Sequence, residues 1–182
     1  MTVLDAIRQR RATRIYTDRR VDAETVNALL DAAVRAPSAR NQQPWSFAII
    51  QDRQLLTALS TEIKAALAHD PQWREALPLA DREFDIFYGA GTLIVICAGT
   101  GGFSPVGDCY LAAENLMLAA YSMGLATCPI GLARDVLQTD QWRKQLQLPP
   151  DVTPVLPLIA GYAGAVMPPT SRRPPVITAW IK

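Results

Sequence analysis

Histidine is nearly missing from this chain: His69 is the single one in 182 residues. That excludes a histidine-rich metal centre and leaves a Ser-His hydrolase one base with no alternative. Cysteine is scarce too. Cys97, Cys109 and Cys128 are odd in number and have no CxxC spacing. They fit a reducing compartment better than a disulfide framework. No charge is in excess, with 18 Lys+Arg against 17 Asp+Glu and a net charge of +1. The chain therefore offers no bulk electrostatic case for nucleic acid or an anionic membrane. Its apolar runs are all well short of the ~18 residues of a spanning helix. Thr2-Val3-Leu4-Asp5 has neither a basic n-region nor an apolar h-region, so no signal peptide is expected and a cytoplasmic location follows by elimination. A dinucleotide fingerprint is absent as well. Gly99-Thr100-Gly101-Gly102 follows an apolar run but is not GxGxxG, and it reads as a flexible turn.

What is present can build a core. Hydrophobic residues make up 49% and charged residues 19%, and the length suits one domain over 1–182. Thr2 with Asp5 forms a capping-box pattern for a helix from about Val3 to about Arg10. Asp22 opens a second helix with Val26, Leu29, Leu30 and Ala33 on one face. A strand is expected over Trp45–Gln51. Asp52 then opens a third helix with Leu55, Leu56, Leu59, Ile63 and Leu67 on one side. Segment 69–91 carries Pro71, Pro78, Trp73, Phe84, Phe87 and Tyr88. It reads as a helical excursion over a pocket lined by aromatics, or as a plain connection whose aromatics pack in the core.

Thr92–Ala98 is a short β-branched apolar run, expected as a central strand. Asp108 is expected to cap a helix over Cys109–Met123 that is apolar nearly all round, and hence buried in the core or in a subunit interface. Gly124 suits its stop. Thr139 caps a short helix through Leu146. Pro154–Gly161 is a strand that Pro157 demotes to an edge or a bulge. The apolar tail Val176–Ile181 is expected to add to a sheet, its own or a partner's.

Two stretches carry possible chemistry. Arg10-Arg11-Ala12-Thr13-Arg14 places three cations within five residues. They either hold a phosphate, which guanidinium forks suit, or form a solvated charge run. Between two regular elements lies Ala36-Pro37-Ser38-Ala39-Arg40-Asn41-Gln42-Gln43-Pro44-Trp45. Ser38, Asn41 and Gln43 there offer hydroxyl and carboxamide groups to a heterocycle or sugar, or simply cap the next element.

Taken in order, these stretches match one pattern. Arg10-Arg11-Ala12-Thr13-Arg14-Ile15-Tyr16 resembles the RRSxRxF start of the nitroreductase flavoproteins, and the loop Ala36–Trp45 is similar to their APSxxNxQPW. Asp108–Met123 with Gly124–Gly131 resembles their long buried helix and flavin-facing turn, and Ser171-Arg172-Arg173-Pro174 their late phosphate-contacting segment. The resemblance implies an α+β fold, with a central mostly antiparallel sheet flanked by helices, in an intertwined homodimer. It implies FMN between subunits, with NAD(P)H as reductant and a nitroaromatic, quinone or other conjugated acceptor. Arg10, Arg11, Ala12 and Arg14, with Arg172 or Arg173, would hold phosphate and ribityl. Pro37, Ser38, Asn41 and Gln43 would come from the partner chain. The backbone of Pro129, Ile130 and Gly131 would lie beside the flavin ring, with the Gly131 N–H near N5. Ala12 departs from the pattern, which has Ser there, and Thr13 is the neighbouring hydroxyl.

In that scheme the flavin carries the chemistry, and no side chain is named as a catalytic acid or base. Three rival readings use the same residues. One is a non-catalytic flavin store or sensor. Another is a phosphate- or nucleotide-binding module without flavin. The last is a thiol-redox enzyme built on Cys128.

Overall fold

The computed structural model describes residues 1–182 and has three layers. Two strands dictate this. In β2 (Thr92–Gly99) the side chains of Leu93, Val95 and Cys97 enter one apolar cluster, and those of Ile94, Ile96 and Ala98 enter another. Alternate residues of a strand face opposite sides, so a strand apolar at every position must be covered on both faces. β4 (Val152–Gly161) behaves likewise, with Leu158 and Ala160 on one side and Ile159 on the other.

The sheet has four strands in the order β1-β2-β4-β3, all antiparallel, with β1 at Trp45–Ile50 and β3 at Ala126–Pro129. One face packs on α2 (Ala23–Val34) and α5 (Pro105–Ser122). The other packs on α3 (Arg53–Leu67), α6 (Arg134–Leu137), α7 (Asp140–Gln145) and residues 86–90. α1 (Val3–Gln9) lies beside α5, and α4 (Pro71–Ala76) is a single short turn.

The helix starts follow their capping residues. Thr2 and Asp5 form a reciprocal capping box, and Asp22 and Asp52 accept the amides of Thr25 and Leu55. α5 ends in a Schellman turn: Gly124 has φ +77°, and the Leu125 N–H reaches back to the Ala120 carbonyl at 2.8 Å.

Two expectations need correction and two open ones are narrowed. α5 starts at Pro105, not after Asp108, because the proline ring is pre-set for a first helical turn. Asp108 is freed from capping and does something else, described below. β4 is an interior strand despite Pro157. The Pro157 carbonyl accepts from the Ile130 N–H, so its missing donor faces the side where β3 has already ended, and the β2 ladder loses nothing. The register shift between Ile96 and Cys97 accommodates the neighbouring Pro154. The tail does not join its own sheet: residues 165–182 form no strand, and Val176 and Ile181 are almost fully exposed. Finally, Phe87 is fully buried core, while Phe84 and Tyr88 are half-buried.

Leu29, on the buried face of α2, is fully enclosed. Leu29→Ala is expected to cost about 3 kcal/mol, lowering Tm by roughly 6–12 °C in a thermal melt followed by circular dichroism. Amide contacts hold the Asp5 and Asp22 carboxyls below their ordinary 3.8. Their contribution to stability is complete above about pH 4 and is lost as pH falls through the lowered folded values. Asp22→Asn should keep the cap yet flatten that acid limb in denaturant titrations run at successive pH values.

Candidate functional site

The arginine segment is bonded to the free edge of the sheet. Ala12 bridges Thr127 in parallel, and the Thr13 N–H donates to the Thr127 carbonyl at 3.1 Å. The chain is extended there, so side chains alternate. Ala12 and Tyr16 pack on the cluster that holds Cys128 and Ile130. Arg10 and Arg14 share that parity, and both act electrostatically on the Cys128 thiol. Arg14 also lies 6.0 Å from the Tyr88 ring centroid.

Arg11 behaves differently. Its Nη1 donates to the carbonyls of Arg8 (2.6 Å) and Arg10 (2.8 Å), which closes the C-terminal end of α1. Thr13 is buried on the side of Thr127, and both line a cleft of about 590 Å³ that reaches Tyr121 and Met167. In this chain, then, Arg11 serves the fold while Arg10 and Arg14 stand available.

They stand unpaired. The ion pairs of the chain are Arg35–Asp31, Arg53–Asp18 and Arg134–Asp135, and none involves Arg10, Arg11 or Arg14. Three cations so close repel unless an anion sits among them. The buried Arg11 Nε, Tyr16 hydroxyl and Thr127 hydroxyl also have no hydrogen-bond partner. Buried polar atoms are normally satisfied, so this edge fits an anionic, hydrogen-bonding ligand.

The turn after β3 is next to it. Ile130 buries its side chain, while Pro129 and Gly131 are exposed. Gly131 opens a short 3₁₀ turn, Gly131–Ala133, so its N–H has no intrahelical acceptor. A Cβ placed on Gly131 would meet nothing within 4 Å. The backbone thus faces open space wide enough for a flat group. Cys128 lies alongside, but burial pushes its thiol up. Burial likewise lifts Cys97 to about 12 and Cys109 to about 11. Protonated thiols are poor nucleophiles, which removes the support for a thiol-redox enzyme.

Loop Pro37–Gln43 is built, not slack. The Asp108 carboxylate accepts the Ala39 N–H at 3.2 Å, and the Ser38 hydroxyl accepts the Gln43 N–H at 2.9 Å. The Asn41 carboxamide oxygen accepts from the Gln43 side chain at 3.2 Å. Arg40, Asn41 and Gln43 all have left-handed backbone, at φ 51°, 54° and 47°. Asn tolerates this, but Arg and Gln do so at about 1–3 kcal/mol each. Such strain persists only where the surroundings impose it. Asp108 is the residue that sequence reasoning misassigned; its aspartate character was visible, its true partner was not.

The loop and the arginine edge are not brought together within one chain. β1 and β3 are opposite edges of a four-strand sheet, three spacings or roughly 14 Å apart. Arg172 and Arg173 are both exposed, and the one side-chain hydrogen bond between them and the chain runs from Arg172 to the adjacent Ser171 carbonyl.

An α+β sheet with unpaired guanidinia on one edge, beside a glycine-opened turn, is a scaffold suited to holding an anion. The family follows from comparison. The Nitroreductase family model matches residues 7–162, and the chain belongs to that family. A Methanothermobacter thermautotrophicus protein, named provisionally as an NADH dehydrogenase/NAD(P)H nitroreductase, is 30% identical over 167 residues, covering 89% of this chain and 78% of its own. The chloronitrobenzene nitroreductase of Comamonas testosteroni is 30% identical over 200 residues, covering 87% and 86%. Among solved structures, a Bacteroides fragilis nitroreductase with bound FMN superposes with a TM-score of 0.87 at 27% identity, covering 99% of both chains.

Gly131→Val should leave the melting temperature unchanged, because the added side chain enters open space, yet should weaken uptake of a flat ligand measured by equilibrium dialysis. Asp108→Ala should cost about 1–3 kcal/mol by orphaning the Ala39 amide, with faster hydrogen exchange at that amide.

Proposed function

We propose that this chain is an FMN-dependent NAD(P)H oxidoreductase acting on nitroaromatic, quinone or other conjugated acceptors. The observation that carries the proposal is the unpaired Arg10 and Arg14 on the β3 edge, beside the open Gly131 turn, in a family whose solved members include FMN-bound proteins. Bound FMN would supply hydride transfer between NAD(P)H and the acceptor, held by Arg10 and Arg14 and oriented beside Gly131.

The chain's own groups do the binding and the tuning. Arg10 and Arg14 neutralise the phosphate with charge-assisted bonds. The Tyr16 hydroxyl, buried without a partner on the same side of the segment, has a hydrogen bond still to make. The Gly131 N–H donates at the ring, where reduction places negative charge. The buried thiols stay protonated and move no proton.

The active form in this proposal is a homodimer. The strained loop and the arginine edge lie on opposite sides of the sheet, so Pro37, Ser38, Asn41 and Gln43 would complete a partner's site. The arm beyond Gly164 has Ile177 at 59% and Trp180 at 70% exposed. Apolar extended backbone of this sort seeks a strand edge, and pairing with the partner would bring Arg172 or Arg173 toward the phosphate. Segment 69–91, with Trp73 facing Gly131 and Leu67 across a cleft of about 440 Å³, would border the acceptor.

The visible spectrum of purified protein, before and after NAD(P)H without oxygen, is the test. A yellow protein that bleaches and is recoloured by a quinone is expected. A yellow protein that does not bleach would favour a store or sensor, and a colourless one that takes up no FMN would sink the proposal. Arg10→Ala should weaken FMN binding about 10- to 100-fold, the loss of one charge-assisted contact, and unchanged flavin occupancy after gel filtration would remove Arg10 from the site.

A further inference from the structure

Arg40 and Phe103 form a pair that neither the fold nor the cofactor site explains. The Arg40 guanidinium carbon lies 4.2 Å from the centroid of the Phe103 ring. Both residues are exposed, Phe103 at 68%. No carboxylate pairs with Arg40. Both sides are nonetheless held in place. Asp108 anchors the loop behind Arg40 through the Ala39 amide. The neighbouring Gln42 side-chain oxygen accepts the Phe103 N–H at 3.3 Å. Gly102, at φ +122°, lies so close that a Cβ there would come within 3.0 Å of that Gln42 oxygen. The backbone of Arg40 itself is left-handed, a conformation arginine does not choose for its own sake.

We infer that Arg40 and Phe103 are the docking element for a planar acceptor that carries a negative charge, an aromatic carboxylate. The inference rests on the oxidoreductase reading above and names its substrate class. The guanidinium covers one face of the Phe103 ring, and its N–H donors and the rest of the exposed ring are presented together, in water, with no acceptor of this chain on the donors. An aromatic acid satisfies both at once: its ring lies against the part of Phe103 left exposed, and its carboxylate takes two parallel N–H bonds from the guanidinium. A neutral acceptor of the same shape gains the ring contact alone. Arg40 belongs to the strained loop that would complete a partner's cofactor site, and Phe103 is tied to that loop through Gln42, so the pair would act at the acceptor step.

Two acceptors of nearly equal shape separate these contributions: 4-nitrobenzoate and its neutral methyl ester. The FMN-loaded parent and Arg40→Asn are compared with each, at fixed NADH. Asparagine tolerates left-handed backbone, so the substitution removes charge without breaking the loop. The parent is expected to prefer the carboxylate. Arg40→Asn should lower the carboxylate-to-ester ratio of kcat/KM about tenfold, as expected for one lost charge-assisted contact. Arg40→Lys, which keeps the charge without the planar fork, should fall between. Phe103→Leu should raise KM for both acceptors. An unchanged ratio in Arg40→Asn overturns the inference and leaves the oxidoreductase reading standing. A loss of kcat/KM confined to NADPH, compared with NADH, would mean that the guanidinium serves the dinucleotide's extra phosphate, and would overturn the acceptor assignment. A parent protein that reduces neither acceptor nor a quinone would sink both readings together.

Discussion

β2 and β4 pair along almost their whole length, and both are apolar on both faces. Water cannot be allowed on either side of them, so helices must cover both. α2 and α5 close one side; α3, α6, α7 and the turns around Ile86 and Phe87 close the other. Polar business is thereby driven to the two outer strands and the loops at their ends. β3 is short, which leaves space along its edge for the arginine segment. β1 begins where the strained loop ends. The two halves of the candidate site are thus a consequence of how a doubly buried sheet must be wrapped.

The electrostatics of the site follow from its position. Along the extended segment, alternation sends Arg10 and Arg14 toward Cys128, and Thr13 to the other side with Thr127. Arg11 is spent on the carbonyls at the end of α1. The two remaining cations face no carboxylate, and the buried Tyr16 hydroxyl on their side of the segment has no partner. Unsatisfied charge and unsatisfied hydrogen bonds in one place are what a site for a phosphorylated heterocycle requires. The adjacent cysteine is insulated by burial, so the environment favours binding over side-chain chemistry.

The loop illustrates a different balance. Left-handed backbone at Arg40 and Gln43 costs more than an exposed cation–π contact, worth about 0.5–1 kcal/mol, returns. The anchors at Asp108 and Ser38 have to supply the difference. Their effect is to hold Arg40 over Phe103 and to keep Asn41 and Gln43 paired.

The local elements were legible in the sequence because local physics decides them. Thr2–Asp5, Asp22 and Asp52 start helices through bonds to residues three positions on. Gly124 stops α5 because it tolerates positive φ, and the β-branched run at Thr92–Ala98 fits only a strand covered twice. The arginine segment and the loop were also visible, since three cations in five residues and a proline-bracketed polar stretch stand out by composition. What only the tertiary structure decided depends on partners distant in the chain. Asp108 binds the Ala39 amide instead of capping its own helix. Pro157 sits in an interior strand because its missing donor points where β3 has ended. Arg11 is divided from Arg10 and Arg14 by the parity of an extended segment against Thr127. And the loop lies across the sheet from the arginines, because strand order, which no local pattern encodes, places β1 and β3 at opposite edges.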